Sequence, residues 1–180
     1  MRLKKVVVAV GISLAMIGCA STNAGKVVRV DPRDMRDTDA HYGAEDLHIF
    51  VQKMVSAMLQ VPVLSSSSNK PYIALGNIGV GVGVDEHIDT KLIKNSIRTN
   101  LIKSTRVKFI DSEYVNKLTK KERSKFIAKN YELTGDVHSI KKDTGSTIDN
   151  FYALTLKLTD VKTSVIVWSE EKEIRKIVNR

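Results

Sequence analysis

The sequence predicts an α/β domain of mixed α+β type: a mixed sheet of about four to five strands with flanking helices, the C-terminal strands forming an antiparallel hairpin. Three observations lead there. Apolar residues between positions 39 and 59 recur at helical spacing. Those between 131 and 174 alternate with polar neighbours, as strands require. The connection Lys162-Thr163-Ser164 is short enough to turn one strand straight back beside the next, which makes the pair antiparallel. Helices early and hairpins late indicate helices packed on a mixed sheet.

The elements follow in order. Leu47, Phe50, Val51, Met54, Val55, Met58 and Leu59 paint one face of a helix from about Asp39 to Leu59, with Thr38 or Asp39 as its cap. Pro62 and the run Ser65 to Asn69 mark a loop. Pro71 then opens a strand from Tyr72 to about Val80, followed by a glycine-rich turn. A second helix beginning near Asp89 or Thr90 presents Leu92, Ile93, Ile97 and Leu101 on one side and Lys91, Lys94 and Arg98 on the other. Val107 to Ile110 reads as a short strand, and Ser112 to about Asn130 as a lysine-rich helical stretch with Tyr114, Val115, Leu118, Phe126 and Ile127 as its apolar residues. Three strands finish the chain: one with Tyr131, Leu133 and Val137, one with Tyr152, Leu154, Leu156 and Leu158, and one from about Val165 to Ile174. Trp168 shares parity with Ile166 and Ile174, so core packing is expected of it.

Ahead of this domain, Arg2, Lys4 and Lys5 precede an apolar run from Val6 to Ile17 that ends at Gly18-Cys19. That is the anatomy of an export signal. A dozen apolar residues are too few to span a bilayer, which takes about 20. Met16-Ile17-Gly18-Cys19 resembles the lipobox of bacterial lipoproteins, with Met16 where leucine is usual. The resemblance implies diacylglycerol on the Cys19 sulfur and an acyl chain (palmitoyl) on its new amino group. The bland alternative is an ordinary secretory signal that happens to hold a cysteine. Ala20, in place of the aspartate that retains lipoproteins in the inner membrane, points to the outer membrane. The expected organisation is a signal at 1–18, a lipid-anchored tether at 19–37, and one domain at 38–180 facing the periplasm. Extended at about 3.5 Å per residue, the tether reaches roughly 60 to 65 Å.

Composition narrows function further. The formal net charge of +9 falls to +6 once Arg2, Lys4 and Lys5 are removed. A basic exported domain has little occasion to meet nucleic acid, so anionic lipid, acidic wall polymer or an acidic protein face are the candidate partners. Cys19 is the only cysteine, which excludes an internal disulfide and a cysteine-based zinc site.

No catalytic, metal or cofactor set emerges. Gly76, Gly79, Gly81 and Gly83 stand between a strand and a helix, where a nucleotide loop would lie, but dinucleotide and Walker spacings both fail. A nucleotide-dependent enzyme is the outlying reading, and a flexible connection or irregular strand edge the expected one. His41, His48, His87 and His138 are too dispersed to share a metal, for which helical spacings of three or four are needed. No serine sits in a nucleophile elbow. Glu170-Glu171 and Asp85-Glu86 point their neighbours apart and make poor acid/base pairs. Lys117, Lys120, Lys121, Arg123, Lys125 and Lys129 read as a solvated face, with a partner-binding patch as the alternative.

A set of segments points to one family. They are Val30-Asp31-Pro32-Arg33-Asp34 with the helix ending in Met58-Leu59; Glu86-His87-Ile88-Asp89-Thr90; Ile97-Arg98-Thr99-Asn100-Leu101; and Val107-Lys108-Phe109-Ile110-Asp111. Tyr131-Glu132-Leu133-Thr134-Gly135, Phe151 to Leu156, Val167-Trp168-Ser169 and Lys172 to Lys176 complete it. Together they resemble the LpoB family of outer-membrane lipoproteins that activate peptidoglycan synthases, over roughly residues 28–178. The resemblance implies an α/β sandwich related to the periplasmic domains of curli-secretion lipoproteins. It also implies a penicillin-binding protein as partner and no chemistry of the chain's own. Two departures stand out: the tether is short and lacks the proline-rich spacer of enterobacterial members, and the region before Tyr131 is trimmed while the glycine run Gly79 to Gly83 replaces a more polar turn. A monomer is expected, with a structural lipoprotein of an envelope secretion or surface-organelle assembly as the alternative function.

Overall fold

A computed structural model describes residues 40–81, 84, 88–123 and 129–180. The expected signal, Cys19, the tether, the Thr38 or Asp39 cap, His87, Asp85-Glu86 and the Lys125–Ile127 stretch lie outside the described residues.

The first helix, α1 (Ala44–Met58), starts some five residues later than its apolar pattern suggests, with Gly43 at its N-cap. The Asp46 carboxylate at N3 accepts the N–H of the N-cap residue Gly43 at 2.7 Å, one half of a capping box, and Gly43 has no side chain to accept in return. The delay has a tertiary cause: the carbonyls of Ala40 and His41 are hydrogen-bonded by side chains of the sheet, which holds these two residues against it instead of in the helix. After α1, Pro62 opens the single turn α2 (Pro62–Ser65) where the sequence reads as loop. Proline at the first helical position loses no hydrogen bond there.

Strand β1 (Tyr72–Val80) has the bounds its sequence predicts. Helix α3 (Thr90–Ser104) is capped by Asp89, which accepts from Lys91 and Leu92 N–H at 2.9 and 3.0 Å. It stops at Thr105, a left-handed residue with φ 55°. Strand β2 (Lys108–Ile110) follows. The expected single lysine-rich helix is instead two short ones, α4 (Ser112–Lys117) and α5 (Lys120–Arg123). The break lies at Thr119, whose N–H and hydroxyl both bond the Glu122 carboxylate at 2.8 and 2.7 Å. Thr119-x-x-Glu122 is a capping box, and it starts a new helix rather than continuing the old one.

Strands β3 (Tyr131–Asp143), β4 (Thr147–Asp160) and β5 (Ile166–Asn179) complete a five-stranded sheet of order β2-β1-β3-β4-β5. β1 runs parallel to both β2 and β3, while β3-β4 and β4-β5 are antiparallel. The β3-β4 turn carries Gly145 at φ +86°, a conformation side chains avoid. Register shifts interrupt β1 between Leu75 and Ile78, and the β4-β5 ladder between Leu158 and Thr159.

Helices cover one face of the sheet. Phe50, Met54 and Met58 of α1 and Ile93, Ile97 and Leu101 of α3 pack against Ile73, Ile78, Leu133, Val137, Tyr152, Leu154, Leu156 and Leu158, all essentially buried. Each such side chain contributes about 1.5–3 kcal/mol by leaving water. Gly135 lies among them: a Cβ there would overlap the Thr155 carbonyl oxygen and the Leu156 side chain across the β3-β4 ladder. Only a bare backbone lets Leu156 fold over β3 into the core. Gly135→Ala is therefore expected to destabilise the domain by about 1–3 kcal/mol, read as a lower urea midpoint; an unchanged midpoint would show that the ladder gives way without cost.

Candidate interaction surfaces

Three regions of the domain carry polar or charged groups in built arrangements. The first is where the chain enters the domain. Asn150 Nδ2 donates to the Ala40 carbonyl at 2.9 Å, and the Tyr152 hydroxyl donates to the same oxygen at 3.2 Å. Lys176 Nζ donates to the His41 carbonyl at 2.9 Å and pairs with the Asp46 carboxylate at 2.7 Å. The Lys176 and Asp46 side chains are only 7% and 2% exposed. Tyr42 fits between Phe50 and Tyr152, with ring centroids 6.0 and 5.8 Å away. Burial, and behind it the Asp46 charge, pushes the Tyr42 phenol well above its ordinary range, so it stays neutral and cannot add a second negative charge.

This cluster is structural. Removing one partner of a buried ion pair strands the other charge, which typically costs about 3–5 kcal/mol, whereas replacing both by apolar groups costs far less. Lys176→Met should lower stability by about 3–5 kcal/mol, and Asp46→Leu/Lys176→Met should recover most of the loss in chemical denaturation. A loss in the double variant equal to the sum of the Lys176→Met and Asp46→Leu losses would show that the pair contributes nothing as a pair.

The second region is the sheet face opposite the helices. Along β3 it presents Glu132, Thr134, Asp136, His138, Ile140 and Lys142, and along β4 and β5 the residues opposite them, including Asp149, Phe151, Glu171, Glu173 and Arg175. Gly76, Gly79 and Gly81 of the glycine run flank this row, close to Thr134 and Glu132, to Asp136 and to His138 respectively. A side chain at Gly81 would collide with the His138 ring. Gly76 and Gly79 thus belong to a strand whose bare positions accommodate the polar side chains of its neighbour, and Gly81 follows directly after it, its N–H donating to the Val137 carbonyl at 2.7 Å; Gly83 lies outside the described residues. Near the β3-β4 turn the same face holds Ile140, Phe151 and Ile177 together with a two-pronged ion pair. Arg175 Nε and Nη2 reach the two Asp149 oxygens at 2.9 and 2.7 Å. The Arg175 hydrogen bond holds the Asp149 carboxyl below its usual range, and in turn raises the Arg175 guanidinium.

The third region is a cavity of about 670 Å³ between α3, α4 and β1. β2 pairs with β1 only at Tyr72, Ile73 and Ala74, while β1 continues to Val80. The cavity lies where β1 outruns its neighbour, with Ala74, Phe109 and Val115 on its apolar side. Lys94 and Arg98, one turn apart on α3, supply cations, and Glu113 of α4 faces them. Arg98 stacks 5.9 Å from the Phe109 ring centroid. Its Nη2 makes a single long contact of 3.4 Å to Glu113, a residue 76% exposed at its side chain. The Arg98 Nε is buried and has no acceptor among the described residues.

The residues singled out from the sequence fall apart in space. His48 lies on α1 and His138 on the open sheet face, and His41 enters the entry cluster through its carbonyl. Among the described residues no group of three or more His, Cys, Asp or Glu side chains is placed to hold a metal ion. None of their helices is long and apolar enough to cross a membrane. Of the lysine-rich stretch, Arg123 bonds the Leu118 and Asn116 carbonyls and Lys129 pairs with Glu132 at 2.8 Å, so both secure local structure. Glu171 accepts from Thr155 and Glu170 pairs with Lys172. Trp168 packs on the core with Ile174, as its parity suggests, but Ile166 is exposed because the β4-β5 register shift breaks the alternation between them.

A family model described as the peptidoglycan-synthase activator LpoB matches residues 46–174, most of the chain and from α1 to within β5. The chain belongs to the LpoB family. That family is one of regulatory activators of peptidoglycan synthesis rather than of catalysts. Solved LpoB domains are similar to it: the C-terminal domain from Salmonella enterica at 14% identity and TM-score 0.47, spanning 73% of this chain and 99% of that one. The C-terminal domain from Escherichia coli matches at 12% identity and TM-score 0.47, over 70% and 96%. A lipoprotein, GNA1162 from Neisseria meningitidis, matches at 6% identity and TM-score 0.40, over 60% and 83%. Among curated proteins none matches. The LpoB match includes the Asp46 and Phe50 positions of α1, the β3-β4 hairpin, β5 as far as Ile174, and the Lys94/Arg98 side of the cavity.

Proposed function

We propose that this chain is an outer-membrane lipoprotein that binds a penicillin-binding protein and stimulates its peptidoglycan synthesis. In this reading residues 1–18 are removed, Cys19 carries diacylglycerol and palmitoyl chains, residues 19–37 form the tether, and residues 38–180 are the periplasmic domain that meets the partner. The match of the LpoB family model to residues 46–174 carries the proposal. The lipobox-like Met16-Ile17-Gly18-Cys19 supports the lipid anchor, since several acyl chains together hold a protein on a membrane where one holds it only marginally. The chain itself makes and breaks no bonds: it acts by contact, shifting its partner toward a more active state to the extent that it binds that state better.

Two measurements test this. The full chain, added to solubilised membranes and recovered by affinity tag, should bring down a bifunctional penicillin-binding protein and raise its glycan-polymerising rate in a reconstituted assay. Repeated recovery of no such protein would overturn the partner assignment. Cys19→Ala should move the protein from the outer-membrane fraction to the soluble periplasm, because no other anchor is assigned; retention of the variant in the membrane would overturn the lipid model.

A further inference from the structure

The cavity between α3, α4 and β1 combines three features that belong together in a peptide-binding site. The first is an open strand edge. Beyond Ala74 the β2 side of β1 has no strand partner among the described residues, so the main chain around Gly76 and Asn77 borders the cavity. An extended peptide can add to such an edge through its own backbone.

The second feature is an under-used guanidinium edge. In Arg175 the Nε–Nη2 edge is filled by both oxygens of Asp149 at 2.9 and 2.7 Å, showing the geometry a carboxylate takes there. In Arg98 the same edge holds one long 3.4 Å contact to the exposed Glu113, and its Nε has no acceptor among the described residues. Buried donors are rarely left in this state, and such an exception calls for an explanation.

The third feature is the charge left over. Arg123 and Lys129, which also line the cavity, are committed to the α4 carbonyls and to Glu132. Lys94, half-buried one turn before Arg98, makes no ion pair among the described residues. Among the described residues, one cation without an ion pair beside one poorly paired one suits a single negative charge better than a doubly charged phosphate. Ala74, Phe109 and Val115 supply apolar surface for small side chains next to that charge.

We infer that this cavity binds the carboxylate end of a short peptide, the carboxylate displacing Glu113 from Arg98 and the peptide backbone lying along the part of β1 that no strand pairs on the β2 side among the described residues. Lys94 adds charge from the adjacent turn. Glu113 then acts as a competitor occupying the edge when the site is empty. This binding is separate from contact with a synthase and stands or falls on its own. Two sources offer the same chemistry: stem peptides of the wall, which end in D-alanine, and the C-terminus of a protein, which ends in an L-residue.

Titration calorimetry of the full chain in detergent with N-acetyl-Ala-Ala, in D,D and L,L forms and as the matching C-terminal amides, tests the inference. At least one acid should bind saturably, its amide at least tenfold more weakly. Arg98→Met and Lys94→Met should each weaken the acid at least threefold, and Glu113→Gln should tighten it several-fold by removing the competing charge. Preference for the D,D acid assigns the site to wall peptides, and preference for the L,L acid to protein termini. Absence of saturable binding by either acid, equal binding of acid and amide, or no gain in Glu113→Gln would each overturn the inference. The amide comparison uses the unaltered chain, and Lys94 and Glu113 are not in the core, so the outcome does not depend on whether Arg98→Met folds.

Discussion

Lys176 and Asp46, 130 positions apart, share a buried ion pair that ties the beginning of the domain to its last strand. Two buried charges are tolerated only when each is fully engaged, and here the same two groups also hold the backbone around them. Lys176 takes the His41 carbonyl, Asp46 takes the Gly43 N–H, and Asn150 and Tyr152 take the Ala40 carbonyl. The residues leading into α1 are thereby bound to β4 and β5, and the helix starts where that binding ends. Since α1 also supplies Phe50, Met54 and Met58 to the core, its first turn sets how those side chains meet the sheet.

With one sheet face covered by α1 and α3, no described helix covers the other over β3, β4 and β5, and this asymmetry defines the candidate surfaces. Polar and charged side chains on that face pair across strands, as Arg175 does with Asp149. The glycine run in β1 leaves room for the long side chains of β3 to lie flat. The two-layer architecture supplies one broad face and, at the premature end of β2, one cavity. Both follow from the sheet: an edge strand of three residues beside a neighbour of nine leaves part of that neighbour uncovered.

Much of the fold is legible in the sequence, because amphipathic periodicity is a local signal. The bounds of β1, the Asp89 start of α3 and the β4-β5 hairpin all follow from apolar spacing, a cap residue or a short connection. The structure departs from the sequence pattern where two local signals compete. Helical spacing continues through the lysine-rich stretch, yet Thr119 and Glu122 form a capping box that restarts the helix. The Thr119-x-x-Glu122 pattern is itself a sequence signal, and it outweighs the apolar spacing around it. Parity alone places Ile166 beside Trp168 in the core, and a single register shift undoes it.

By itself the sequence determined the export-signal pattern with its candidate lipid site at Cys19, the mixed α+β class, most of the elements, and the lack of any recognisable catalytic motif. The candidate surfaces were decided by tertiary structure alone. Asp46 falls on the apolar stripe of α1 at the spacing of Phe50 and Met54, and Lys176 on the inward parity of β5, so each looks like a flaw in its own element. Only the fold shows that the two flaws meet. The Arg98 edge is similar: its chemistry depends on how far Glu113 stands from it and on where β2 stops. Such distances between remote segments are set by the packing of whole elements, which no local window of residues encodes.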